Sequence, residues 1–188
     1  STVNTIDSTP TGDKFRPVFF YDVSNRTVYV GGYESVHTPY ILQEFDSNTL
    51  KPKAQYRSDQ LDMLSIRTID KFKDEIILGG VRVSGASSLR SLSGTIISGL
   101  VDKVNVVKPY RGMLLVGTDD ALIAYSLETT TLVEESKLEL ASINSNLQDA
   151  NKLSNVSAIK TQGTLVYISD SGSNESGRTA TFVGVRLR

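Results

Sequence analysis

A single imidazole, His37, stands in Glu34-Ser-Val-His-Thr-Pro39, and it is the only candidate base for a Ser-His-Asp relay. Such a relay needs one ring within hydrogen-bond reach of both a nucleophile and an orienting carboxylate. No nucleophile-elbow pattern flanks His37, so it reads as a surface ring whose charge changes between about pH 5 and 8. Paired carboxylates are the stronger chemical signal, because glycoside hydrolysis needs two carboxyl groups about 5 to 10 Å apart across a pocket. Glu34, Asp119, Asp120 and Asp170 are the candidates. Asp119 and Asp120 sit in Gly117-Thr-Asp-Asp-Ala121, where turn chemistry also favours Asp.

Metal and cofactor chemistry finds little support. There are no cysteines, which removes thiolate metal sites, disulfides and cysteine nucleophiles, and one histidine cannot make a multi-histidine site. The oxygen-rich run Asp170-Ser-Gly-Ser-Asn-Glu-Ser-Gly177 departs from EF-hand spacing: Gly172 takes the second acidic position, Glu175 the glycine, and Thr181 the terminal glutamate. No phosphate-binding loop or dinucleotide fingerprint occurs. No catalytic residue, metal site or cofactor is therefore expected. Three glycosylation sequons begin at Asn25, Asn155 and Asn174 and matter only in a secretory pathway.

A net charge of −1 with interspersed signs leaves no footprint for nucleic acid. Arg67, Lys71, Lys73, Arg82 and Arg90 gather in one stretch, but Asp70, Asp74 and Glu75 interrupt them, so the group reads as a solvated face. No run approaches the roughly 18 apolar residues of a membrane span, and the N-terminus lacks the regions of a signal peptide. Ser1 to Lys14 reads as a flexible arm, and residues 15–188 as a single all-β domain.

The elements that would position these residues repeat. Arg26-Thr-Val-Tyr-Val-Gly-Gly32, Asp74-Glu-Ile-Ile-Leu-Gly-Gly80, Gly112-Met-Leu-Leu-Val-Gly-Thr118 and Thr164-Leu-Val-Tyr-Ile-Ser-Asp170 share a polar turn, an apolar run and a small residue. Their anchors Gly31, Gly79, Gly117 and Ser169 stand 48, 38 and 52 residues apart. Ten positions before each anchor are Tyr21, Ile69, Val107 and Ile159, and a turn separates each such stretch from its apolar run, as in a hairpin. Consecutive apolar residues such as Ile76-Ile-Leu78 predict burial on both faces, as in a sheet stacked between two others. Third strands are expected from Tyr40 and Ala121, fourth strands at 51–57 and 132–138. In the second unit Gly94 to Val101 is expected to be the third strand, with little room for a fourth. One strand, Thr179 to Leu187, ends the last unit.

Intervals of about 40 to 50 residues are those of a four-stranded propeller blade. Val28-Tyr-Val-Gly-Gly32 with Phe45-Asp-Ser-Asn-Thr-Leu50, and Ile76-Ile-Leu-Gly-Gly80, resemble Kelch or YVTN-type blades of the β-propeller superfamily. The resemblance implies a propeller of about four blades, or a portion of a larger one; a β-sandwich is the alternative. Thr2 to Ile6 reads as a tail, with a missing outer strand as its other role. The connections 31–39, 79–93, 117–120 and 169–177 are expected on one face, placing Tyr33, Glu34, His37, Asp119, Asp120 and Asp170 together as binding residues. The expected function is a non-catalytic protein-binding scaffold that docks a partner protein or a second copy. A glycan-binding lectin or carboxylate-dependent glycoside hydrolase is the alternative.

Overall fold

The computed structural model describes residues 17–34, 39–100, 103–170 and 182–186, and strands dominate them. Four antiparallel sheets follow one another along the chain. Sheet 1 holds β1 (Val18–Asp22), β2 (Thr27–Gly31), β3 (Leu42–Asp46) and β4 (Pro52–Tyr56). Sheet 2 holds β5 (Ser65–Phe72), β6 (Glu75–Val81), β7 (Ser87–Ser91) and the two-residue β8 (Ile96–Ile97). Sheet 3 holds β9 (Val106–Tyr110), β10 (Met113–Gly117), β11 (Ala121–Glu128) and β12 (Thr131–Glu139). Sheet 4 holds β13 (Ala158–Gln162), β14 (Leu165–Ser169) and β15 (Phe182–Arg186). Every sheet is a meander in which each strand pairs with its sequence neighbours. The arm 1–14, including Thr2 to Ile6, lies outside the described residues.

The four apolar runs are the second strands, each closed on its first strand by a tight turn. At those turns Arg26, Lys73, Arg111 and Gly163 take positive φ of 49°, 55°, 50° and 58°, the left-handed step that reverses the chain. The turn in sheet 1 is longer, which moves its register by one pleat. Tyr21 pairs with Val28 and Phe19 with Val30, whereas Ile69, Val107 and Ile159 pair with Leu78, Val116 and Ile168. The position ten before the anchor is thus equivalent only in sheets 2 to 4.

First strands of successive sheets lie side by side: β1 on β5, β5 on β9, β9 on β13. They run in the same direction. Near the start of β5, Ile66 N–H donates to the Gly32 carbonyl at 2.7 Å, and near its end Lys71 Nζ reaches Asp22 at 3.0 Å. Each pair of sheets encloses its own apolar core. Tyr29, Ile41, Leu42, Ile69 and Leu78 fill the space between sheets 1 and 2. Phe72, Leu89, Val107, Leu114 and Tyr125 fill the next, and Leu115, Leu122, Ile143, Val166 and Ile168 the last. Ile76, Ile77 and Leu78 are all buried, as are Leu114, Leu115 and Val116, as expected for strands covered on both faces. At about 1.5 to 3 kcal/mol for each fully buried large side chain, these layers dominate the stability.

The small anchors have a steric cause. A Cβ at Gly117 would stand 2.6 Å from both Cγ1 and the carbonyl oxygen of Val156, and one at Gly79 2.6 Å from Thr68 Cγ2. The unequal intervals also have a cause. A helical turn α1 (Ser58–Leu61) joins sheets 1 and 2, and α2 (Leu140–Asn144) with the 3-10 turn Asp149–Asn151 joins sheets 3 and 4. The shortest interval, from sheet 2 to sheet 3, holds no helix among the described residues.

Sheet 2 corrects two expectations. Its third strand is Ser87–Ser91, not Gly94 to Val101, and a short fourth strand follows at Ile96–Ile97. The segment falls within the connection expected at 79–93, but Ser88, Leu89, Arg90 and Ser91 are all buried. The small side chains of Ser88 and Ser91 suit a strand held between two sheets, and Leu89 enters the core beside Gly79. The connection after β6 therefore shrinks from 79–93 to 82–86. The final strand is described over Phe182–Arg186. No helix among the described residues is long and apolar enough to cross a membrane.

Candidate functional site

Because the first strands run in one direction, the starts of β1, β5, β9 and β13 and the ends of β2, β6, β10 and β14 share one rim. Glu34, Asp119 and Asp170 all follow second strands, and each carboxylate clasps a segment leading into a neighbouring element. Glu34 Oε2 accepts from the Ser58 N–H at 2.8 Å, at the start of α1. Asp119 Oδ2 accepts from Lys103 Nζ and Oδ1 from Asn105 Nδ2, both at 2.8 Å, just before β9. Asp170 Oδ2 accepts from Ser154 N–H and Oγ at 3.2 and 3.1 Å, before β13. In sheet 2 the charges are exchanged: Arg82, after β6, donates from Nε to Asp62 Oδ2 at 2.8 Å, before β5, and its NH2 meets the same oxygen.

Sequence reasoning missed this recurring clasp. Lys103 and Asn105 lie in one connection and Asp62 in another, with no shared motif. The signal present was a charged residue placed one to three positions past each small anchor. Asn105 extends the clasp across a junction, since its Oδ1 accepts from Arg67 NH1 of sheet 2 at 3.4 Å.

The hydrogen bonds set the charge of these groups. Bonds from Lys103 and Asn105 hold the Asp119 carboxyl below its ordinary pKa, and those from Ser58 do the same for Glu34. Both carboxyls stay ionised, the reverse of the upward shift that equips a general acid. Tyr33 bridges to Ser65, yet about half of its surface stays exposed on the rim. Asp120 is exposed at a turn in which Thr118 Oγ1 accepts the N–H groups of Asp120 and Ala121 at 3.2 and 2.9 Å. His37 lies outside the described residues, as does 171–177. The rim thus gathers Tyr33, Glu34, Asp119, Asp120 and Asp170, with Arg67, Lys103 and Arg82 among them. Among the described residues no group of three or more His, Cys, Asp or Glu side chains is placed to hold a metal ion.

The basic stretch of sheet 2 is not one solvated face. Lys71 turns to Asp22 at the far end of the sheet, and Arg67 and Arg82 belong to the rim clasps. Arg90 is buried, 8% exposed, and donates through NH1 to the Leu61 carbonyl at the end of α1. Only a long side chain emerging from an interior strand can reach that carbonyl, which linear charge counting does not register.

No family model matches the chain, and no curated protein does. Among solved structures it is similar to a chain of an S. cerevisiae assembly described as dbp5 bound to nup159, gle1, IP6 and ADP. Identity is 10% and the TM-score 0.48, over 85% of this chain and 45% of that one. This chain spans less than half the length of that relative.

Proposed function

We propose that the chain is a non-catalytic protein-binding module whose four sheets are arranged as blades of a β-propeller, or of part of one, and whose rim docks a partner protein. The blade reading is supported by the repeated meanders, by first strands aligned side by side, and by an apolar core between each successive pair. The observation that carries the docking reading is the clasped rim. Ionised acceptors and basic donors are held there by fixed partners around an exposed tyrosine, an arrangement suited to directed polar contacts with a protein surface. Preorganised side chains bind with little loss of conformational entropy.

The test is a triple variant, Tyr33→Ala with Glu34→Gln and Asp119→Asn. A partner recovered by cross-linking and rebuilt from purified components loses at least tenfold in affinity for this variant, while the circular-dichroism spectrum is unchanged. Undiminished affinity assigns docking to another surface.

A further inference from the structure

Each internal junction joins two faces built from fixed register positions. On the face toward the preceding sheet, the residues three and one before the anchor are Ile76 and Leu78, Leu114 and Val116, or Val166 and Ile168. Opposite the second of each pair stand Ile69, Val107 and Ile159. All nine are at most 9% exposed. On the face toward the following sheet, the residue two before the anchor is Tyr29, Ile77 or Leu115. Opposite the anchors stand Leu42, Leu89 and Leu122. These six are also buried.

Among the described residues, the two end sheets carry the same positions with no sheet covering them. In sheet 1 the backward face holds Val28 and Val30, with Phe19 opposite Val30 and Phe45 opposite Val28. Phe19 is 62% exposed, and Tyr21, on the same face, is also exposed. In sheet 4 the forward face holds Tyr167, in the position of the buried Tyr29, and Phe182, opposite Ser169 in the position of Leu42, Leu89 and Leu122. Phe182 is 71% exposed. An aromatic at a position buried in all three other sheets, left in water at one end only, is the signature of an uncovered interface.

We propose that the forward face of sheet 4 in one copy covers the backward face of sheet 1 in a second copy, making a head-to-tail dimer. The occupant follows from continuity with the junctions inside the chain. Each of those places a forward face on a backward face, and the two unpaired ends are one of each kind. Two copies satisfy both ends through two equal heterologous contacts, and eight sheets then close around a twofold axis. Lys160, also on the forward face beside Tyr167, brings a cation to the aromatic face of Phe19 and Tyr21. This inference rests on the repeated sheets, and it uses surfaces distinct from the docking rim.

The experiment is solution mass by light scattering at micromolar concentration, on the full chain and on two surface variants, Phe19→Lys and Phe182→Glu. The unaltered chain should have about twice its 20.5 kDa, and each variant 20.5 kDa with an unchanged circular-dichroism spectrum. Mixing the two variants should restore the doubled mass, because one junction then opposes Lys to Glu and the other is unaltered. A monomeric unaltered chain, a dimer surviving both substitutions, or a mixture that stays monomeric overturns the proposal. So does a dimer that forms only after removal of residues 1–16, since that segment is then the natural cover. The triple rim variant should keep the doubled mass, so failure of the dimer and failure of rim docking are separately visible.

Discussion

Two aspartate–lysine pairs lie at opposite ends of the sheets and serve different purposes. At the turn end, Asp22 is 3% exposed and accepts from Ser24 N–H at 3.0 Å, Ser24 Oγ at 2.5 Å, Asn25 Nδ2 at 2.8 Å and Lys71 Nζ at 3.0 Å. One carboxylate there closes the first hairpin and ties sheet 1 to sheet 2. At the rim, Asp119 pairs with Lys103 at 2.8 Å, but both side chains are nearly half exposed. Burial opposes the charge of Asp22, yet the bonds from Ser24, Lys71 and Asn25 outweigh it and bring the pKa down to about 2. The same residue types thus act as a structural lock where water is excluded and as an exchangeable contact where it is not.

Breaking the frame that both ends share has the largest expected effect. Gly117→Val drives a side chain into the Val156 backbone and should cost about 3 kcal/mol or more in urea unfolding, with loss of the rim as well. A cost below about 1 kcal/mol would place the contact of sheet 3 with the β13 lead elsewhere. Next, Asp22→Ala leaves Lys71 with only Ser24 Oγ to donate to and the turn donors without their carboxylate, and should cost about 2 to 4 kcal/mol by the same measurement. A loss equal to that of Asp119→Ala abolishes the distinction between the two ends.

The pH response sharpens it. Asp22 has a folded pKa of about 2, below its ordinary 3.8, so its stabilisation is complete above that ordinary value and is lost as pH falls through 2. Denaturation midpoints should therefore drop between about pH 4 and 2, and Asp22→Asn should flatten that segment of the curve. An unchanged slope contradicts the lock. The smallest effect belongs to the rim: Asp119→Asn should change stability by less than about 1 kcal/mol, and salt near 1 M, with a Debye length of about 3 Å, should erase most of that difference.

Much of this architecture was legible along the chain. The small anchors, the apolar runs and the turns before them mark all four hairpins, because period-two pairing and turn chemistry act over few residues. Two elements depart from that reading for different reasons. Ser87–Ser91 falls within the expected connection 79–93 and is a buried strand, and Tyr21 reads as equivalent to Ile69 although the longer turn in sheet 1 moves that place to Phe19. The cover that buries Ser87–Ser91 comes from neighbouring sheets, whereas the register of Tyr21 is set by the length of its own turn. The acidic site residues were legible as loop carboxylates, but Lys103, Asn105 and Asp62 were not, since their proximity depends on where first strands begin in space.

The order of residues alone determined that small sheets recur, where each turns, and that cysteine and multi-histidine chemistry is excluded. Only the tertiary structure decided which carboxylates are locked and which remain at the surface, and that Arg90 is interior. It also decided that Phe19 and Phe182 are left in water. Local pairing is written in neighbouring residues, whereas burial depends on what another sheet covers.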